Sequence, residues 1–259
     1  MKLLFLKKNS LFLFFLIVLS LIILLLFSNH YKIVTLDVSS NITYYTSFHD
    51  RLKSLTSNSE KIAYLTFDDG PSKYATNRIL DILKEENVKA TFFVVGKYVK
   101  EYPEVTKRAF LEGHYIANHG YNHDNNLLYS SKDSFINEIK KTDFEIGSAI
   151  GIPDYCSHVF RFPNGYMSPN NKYAKKKAAK LLESLDYSYI DWNCLNNDSV
   201  HNYSKEELLS NLKKTAKGKN TLVILMHDTT DRSDSSKALK DSINFLRSQG
   251  YSFKNFYFN

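Results

Sequence analysis

Polar and apolar positions fall into three regimes along the chain. Leu11 to Phe27 is apolar except for Ser20. At a rise of ~1.5 Å per residue, a helix over 10–28 would span about the ~30 Å of a bilayer core. Residues 29–59 are mixed and rich in Ser, Thr and Asn, which reads as a stalk. From Lys61 onward, short apolar runs alternate with amphipathic stretches of helical length.

The strand-like runs fall at 62–67, 90–95, 115–117, 158–162, 187–192 and 221–226, and the helical ones at 76–86, 97–111, 132–150, 172–185, 205–216 and 236–248. Such alternation predicts an α/β fold with a parallel sheet. The chain lacks a Gly-rich dinucleotide fingerprint. The expected architecture is therefore a distorted (β/α) barrel of about seven parallel strands, preceded by one N-terminal transmembrane helix, rather than an open doubly wound sheet. The expected organisation is a cytoplasmic head (1–9), a transmembrane signal anchor (10–28), an extracellular stalk (29–59) and a catalytic-type domain (60–259).

Charge sets the orientation. Lys2, Lys7 and Lys8 precede the apolar run, so the positive-inside rule places the N-terminus in the cytoplasm and the domain outside. The run is longer than the ~7 to ~15 residues of a signal core, and no pair of small residues follows it at cleavage spacing. A retained anchor in the cell membrane is the expectation, with secretion as the outcome if the segment is cleaved. The head accounts for three charges of the net +7, leaving about +4 on the exported part. That excess is mild and scattered, and the cluster Lys175-Lys176-Lys177 reads as a solvated helix face, which argues against a nucleic-acid surface. Cys156 and Cys194 lie where a disulfide is permitted, with no pairing implied.

Chemistry concentrates at strand ends. Thr66-Phe-Asp-Asp-Gly-Pro71 puts two carboxylates side by side after an apolar strand, an arrangement a divalent cation would neutralise. His119 and His123 supply two imidazoles at a spacing that one helical turn brings to one side. Two His and one carboxylate make a metal set that leaves positions open for water and substrate. With Asp69 as ligand, Asp68 is free to act as base and His227 as acid. Singly, each feature also reads as an ordinary turn, loop or hydrogen-bonded residue.

In order, Thr66 to Pro71, His119 to His123, Arg161-Phe-Pro-Asn-Gly165, the segment from Asp191 to Asp198 and Ile224-Leu-Met-His227 resemble the five motifs of the polysaccharide deacetylases, the NodB homology domain of carbohydrate esterase family four. The resemblance covers about 62–251. It implies a distorted barrel and metal-dependent hydrolysis of an acetamido or acetyl group on a glycan. It also implies roles: Asp68 as base, Asp69, His119 and His123 as metal ligands, Arg161 as the group orienting the base, and His227 as acid. The implied oxyanion donor is the Asn164 backbone N–H. Zn2+ is the implied cofactor, with Co2+ or Ni2+ also suited to the ligands.

Three positions depart from the family pattern. Gly120 stands where Ser or Thr usually follows the first His, and Asn164 where Tyr is frequent. In the fourth motif the partner of His227 is Asp198 or Asp191, with Asp198 preferred, and Trp192 is expected at the sugar site. The expected substrate is an N-acetylated glycan, foremost peptidoglycan N-acetylglucosamine. N-acetylmuramic acid, chitin oligomers, an exopolysaccharide and O-acetyl xylan are the alternatives, and a catalytically idle glycan-binding envelope protein is the reading from another class.

Overall fold

The computed structural model describes residues 60–229 and 235–257. The expected head, anchor and stalk lie outside them, and no helix among the described residues is long and apolar enough to cross a membrane. The order begins with β1 (Ile62–Asp68), α1 (Ala75–Glu85), β2 (Thr91–Val94), α2 (Gly96–Glu101), α3 (Pro103–Leu111) and β3 (Tyr115–Asn118). It continues with α4 (Asn125–Leu128), α5 (Lys132–Ile150), β4 (Val159–Phe160), α6 (Lys172–Ser184) and β5 (Ser188–Tyr189). Last come β6 (Cys194–Leu195), α7 (Lys205–Ala216), β7 (Thr221–His227), α8 (Ser236–Ser248) and β8 (Ser252–Lys254).

All strand pairs are parallel. Seven strands follow the path β5-β4-β3-β2-β1-β7-β6, and β8 joins the first half of β1. Laid flat at ~4.8 Å per gap, that path would hold its edges about 29 Å apart. Yet the edge strands are consecutive in sequence, and the chain from Tyr189 to Cys194 can reach no further than about 18 Å. The sheet must therefore curl into an incomplete barrel, whose edges come close with no hydrogen-bonded pairing between β5 and β6.

β1 shows how the curl separates core from site. Ala63, Leu65 and Phe67 face outward and pack with Ile79, Leu83, Ile243 and Leu246 of α1 and α8. Ile62 and Tyr64 face inward with Phe93, Tyr115, Val223 and Phe256. The same period of two carries Thr66 and Asp68 to the interior, so the inner face turns from apolar to polar toward the carboxyl end of the strand.

Several elements differ from expectation. The helix expected over 97–111 is two helices, because Pro103 lacks an N–H and sits at the first position of α3, after a non-helical Tyr102. The run 187–192 pairs only over Ser188–Tyr189, and the chain then crosses to β6, where Cys194 and Leu195 pair with β7. The short α4, β6 and β8 lacked a periodic signal. Lys175 is not on a solvated face: it is 1% exposed, and its Nζ donates to the Gly165 carbonyl at 2.6 Å. Cys156 and Cys194 are both free thiols.

Candidate active site

The polar rim forms where strands of the curled sheet end. Asp68 closes β1 and is the register partner of His227, which closes β7. His119 follows β3, and Arg161 follows β4. Asp68, Asp69, His119, His123, Asn164, Trp192 and His227 line one groove of about 750 Å³. Arg161 and Asp198, 0% and 1% exposed, stand behind its wall.

Asp69, His119 and His123 each present a ligand atom, all within 4.8 Å of one another. Asp69 Oδ1 lies 3.2 Å from His119 Nε2 and 3.1 Å from His123 Nε2. Burial raises the Asp69 pKa, but hydrogen bonds and charge from the two histidines outweigh it and hold the carboxyl well below its usual range. Burial lowers the His123 pKa, and Asp69 more than reverses this. His119 Nδ1 is 2.8 Å from the Arg161 carbonyl, which turns Nε2 toward Asp69. Apart from the two imidazoles, the buried Asp69 Oδ1 has no hydrogen-bond partner among the described residues, as befits an oxygen kept for a cation. The donor set, two imidazoles and one carboxylate, fits a divalent metal with open positions. The segment from His119 to His123 is a loop, not the helical turn expected from the spacing: Gly120 and His123 have φ of 83° and 56°. Asp69, at φ 75°, and Asn164, at φ 63°, are likewise left-handed, the kind of local strain that functional sites retain.

Arg161 organises Asp68. Its Nη1 donates to Asp68 Oδ1 and to Thr66 Oγ1, both at 2.7 Å, and Nε donates to the Ile190 carbonyl at 3.0 Å. The guanidinium carbon lies 3.9 Å from the Phe93 ring centre. A buried charge held by this many partners has no freedom to turn, so one Asp68 oxygen is fixed against Arg161. The other lies 3.9 Å from His119 Nε2, on the metal side of the groove.

His227 is gripped by Asp198. Oδ1 lies 2.7 Å from ring Nδ1, and Oδ2 accepts the His227 backbone N–H at 2.7 Å. Ser235 also donates to Oδ2. Burial lowers the His227 pKa, but the hydrogen bond and charge of Asp198 outweigh it, so the pKa is raised to about 9. Asp191, the alternative partner, instead accepts the backbone N–H groups of Tyr166 and Met167 at 2.8 and 2.9 Å, and so braces the loop after Arg161. Gly165 completes that loop against Trp192: an added Cβ would lie 2.8 Å from the indole.

One buried carboxyl at the site carried no motif signal of its own. Asp228 follows His227; its Oδ2 accepts from Thr76 Oγ1 at 2.7 Å, and its backbone N–H donates to the Asp68 carbonyl at 3.2 Å. Burial, with further help from Asp69 and Asp68, raises its pKa to about 7.

An Asp-His-His cluster beside an arginine-held carboxylate and a carboxylate-held histidine, on the rim of a curled parallel sheet, is the equipment of a metal-dependent hydrolase. The chain belongs to the polysaccharide deacetylase family, whose model matches residues 56–189. It is a deacetylase of carbohydrate esterase family four with Asp69, His119 and His123 as the candidate metal site. It is 34% identical over 202 residues to a peptidoglycan-N-acetylglucosamine deacetylase of Bacillus cereus, covering 75% of this chain and 68% of that one. It is 32% identical over 221 residues to a peptidoglycan-N-acetylmuramic acid deacetylase of Bacillus subtilis, covering 84% and 76%. Among solved structures it resembles the catalytic domain of a peptidoglycan N-acetylglucosamine deacetylase from Eubacterium rectale (TM-score 0.70, 29% identity, 78% of this chain and 91% of that chain).

Proposed function

We propose that the protein hydrolyses the N-acetyl group of N-acetylglucosamine in peptidoglycan, outside the cytoplasm and tethered to the membrane through residues 10–28. The observation that carries the chemistry is the convergence of the Asp69-His119-His123 cluster, the Arg161-held Asp68 and the Asp198-held His227 on one groove. The names of the Bacillus cereus and Eubacterium rectale relatives support the substrate.

An amide resists hydrolysis because its carbonyl is a weak electrophile and its amine a poor leaving group. A divalent cation, Zn2+ in this reading, would supply Lewis acidity toward water and the acetyl carbonyl when held by Asp69, His119 and His123. Asp68 takes a proton from the attacking water, with Arg161 holding the carboxylate in place. The water oxygen bonds to the carbonyl carbon, and the Asn164 backbone N–H donates to the developing oxyanion. His227 gives its proton to the nitrogen as the C–N bond breaks, which releases acetate and leaves a free amine on the sugar.

The polymer would lie along the groove beyond the acetyl position. Tyr74, Tyr98, Tyr102 and Trp192 are among its lining residues, and Tyr74 is 62% exposed. Exposed aromatic faces suit the flat apolar faces of sugar rings.

The test is acetate release by the full-length protein, with and without chelator and added Zn2+, on peptidoglycan and on chitin oligomers. Chelator-sensitive acetate from the glucosamine of peptidoglycan is the expected result. Acetate from muramic acid would move the assignment toward that of the Bacillus subtilis relative. No acetate from folded, metal-loaded protein on any of these glycans, an exopolysaccharide or acetylated xylan would favour an idle glycan-binding role.

A further inference from the structure

The two histidines of the candidate metal site stand at either end of the segment Gly120-Tyr121-Asn122, and each backbone N–H and C=O in that segment has a fixed partner. The carbonyls face α2: Gly120 O accepts from Gly96 N, Tyr121 O from Lys97 N and Asn122 O from Lys97 Nζ, each at 3.0 Å. The N–H groups are held from α5, directly or through Asn118 at the end of β3. Gly120 N donates to Asn118 Oδ1 at 2.9 Å, and Asn118 Nδ2 donates in turn to Asp143 Oδ1 at 2.9 Å. Tyr121 N and Asn122 N both donate to Glu138 Oε2, at 2.8 and 2.9 Å, and Asn122 Nδ2 donates to Glu138 Oε1 at 2.6 Å.

One carboxylate, 8% exposed, thus takes three hydrogen bonds from the span between His119 and His123. It does so from a 19-residue helix seated in the core through Phe135, Ile139 and Ile146. A loop with left-handed residues and no ladder of its own takes its shape from such partners. Gly120, at φ 83°, contributes no side chain to the task.

We infer that Glu138 is the positioning residue that sets the geometry of the His119-His123 arm, and with it the affinity of the site for a divalent cation. The inference rests on reading Asp69, His119 and His123 as metal ligands. A carboxylate is the group required, because both oxygens accept. Glutamine has the same shape but only one accepting end, so its NH2 meets the backbone N–H pair, or meets the Asn122 amide, which must then turn over and give up the charge-assisted bond it makes to the carboxylate.

The experiment is Co2+ titration of the full-length protein against a competing chelator, with the visible absorption band of bound Co2+ recorded for wild type and Glu138→Gln, and the melting temperature of each measured without metal. The expected result is metal bound about tenfold or more weakly by the folded variant, the usual scale for losing an outer-shell support, with a changed Co2+ band. A purely structural Glu138 would shift melting alone, and unchanged affinity and band in the variant would overturn the inference. Wild type that binds no Co2+ would instead overturn the metal-site reading beneath it. If Glu138→Gln does not fold, Asn122→Ala removes only the bond to Oε1: severalfold weaker binding supports the inference, and unchanged binding sinks it.

Discussion

Asp198 and His227 are joined at two points, side chain to ring and side chain to backbone, so the carboxylate fixes both the protonation and the position of the imidazole. With the pKa raised to about 9, His227 carries its proton at neutral pH, as the proposed general acid must before the amine departs. The rate should therefore hold through neutrality and fall as pH rises through about 9. Asp198→Asn removes the largest influence that opposes burial, leaving only the weaker pull of Asp68 and Asp69, and burial disfavours the cation. Its alkaline limb should move down from about 9 toward the ordinary histidine value of about 6.5, with turnover at pH 7 reduced severalfold. The measurement is kcat/KM against pH; a limb that stays in place would assign the acid elsewhere.

Asp68 and Asp69 are neighbours with separable roles. Asp69→Ala and His119→Ala should lose bound metal and activity together, and chelation of wild type should mimic them reversibly. Asp68→Asn should keep its metal, because Asp68 is held by Arg161 and stands apart from the ligand cluster. Its turnover should fall by about 10² to 10⁴, the usual contribution of a general base. Metal content by elemental analysis beside turnover decides; near-normal turnover in Asp68→Asn would refute the base assignment.

Gly70 is held at glycine by a carboxylate. A Cβ there would lie 2.1 Å from Asp228 Oδ2 and 2.4 Å from its Cγ, and the Asp228 side chain is tethered to Thr76. Gly70→Ala should cost about 1–3 kcal/mol of stability, as overpacking does, and should lower activity by displacing Asp69 beside it. In a double-mutant cycle, Asp228→Ala should offset part of that loss, giving a coupling above the additive expectation. Additive melting shifts would show that the two residues do not meet.

Tyr74 tests the path of the glycan. Tyr74→Ala should raise KM severalfold on long chains while kcat and the KM of a short oligomer hold. An equal effect on both lengths would place the polymer elsewhere.

How much of this was legible in the linear chain depended on how local each signal is. β1 was readable because its short run Ile62 to Phe67 is largely apolar on both faces, the outward one covered by helices and the inward one filling the barrel. Asp68, Asp69, His119 and His227 were readable as candidates because each ends or follows an apolar strand, where parallel sheets collect their chemistry, and His123 because it repeats the imidazole four residues after His119. The break at Pro103 has a local cause, a missing N–H, although the amphipathic run continues across it.

Other features had no local cause. Asp191 and Asp198 could each have reached His227; the crossing from β5 to β6 sends the first to the loop at Tyr166 and the second under the imidazole. Lys175 looked like its neighbours Lys176 and Lys177 until α6 packed and turned it alone toward the Gly165 carbonyl. Glu138 lies 17 residues from Tyr121 and belongs to a helix whose sequence suggests only a buried stripe. Sequence by itself determined the strand-helix alternation, the family motifs and the kind of chemistry, because strand period, turn residues and donor types are properties of neighbouring residues. Tertiary structure alone decided which carboxylate meets which partner, because hydrogen bonds across separate elements exist only after the sheet has curled and the helices have docked.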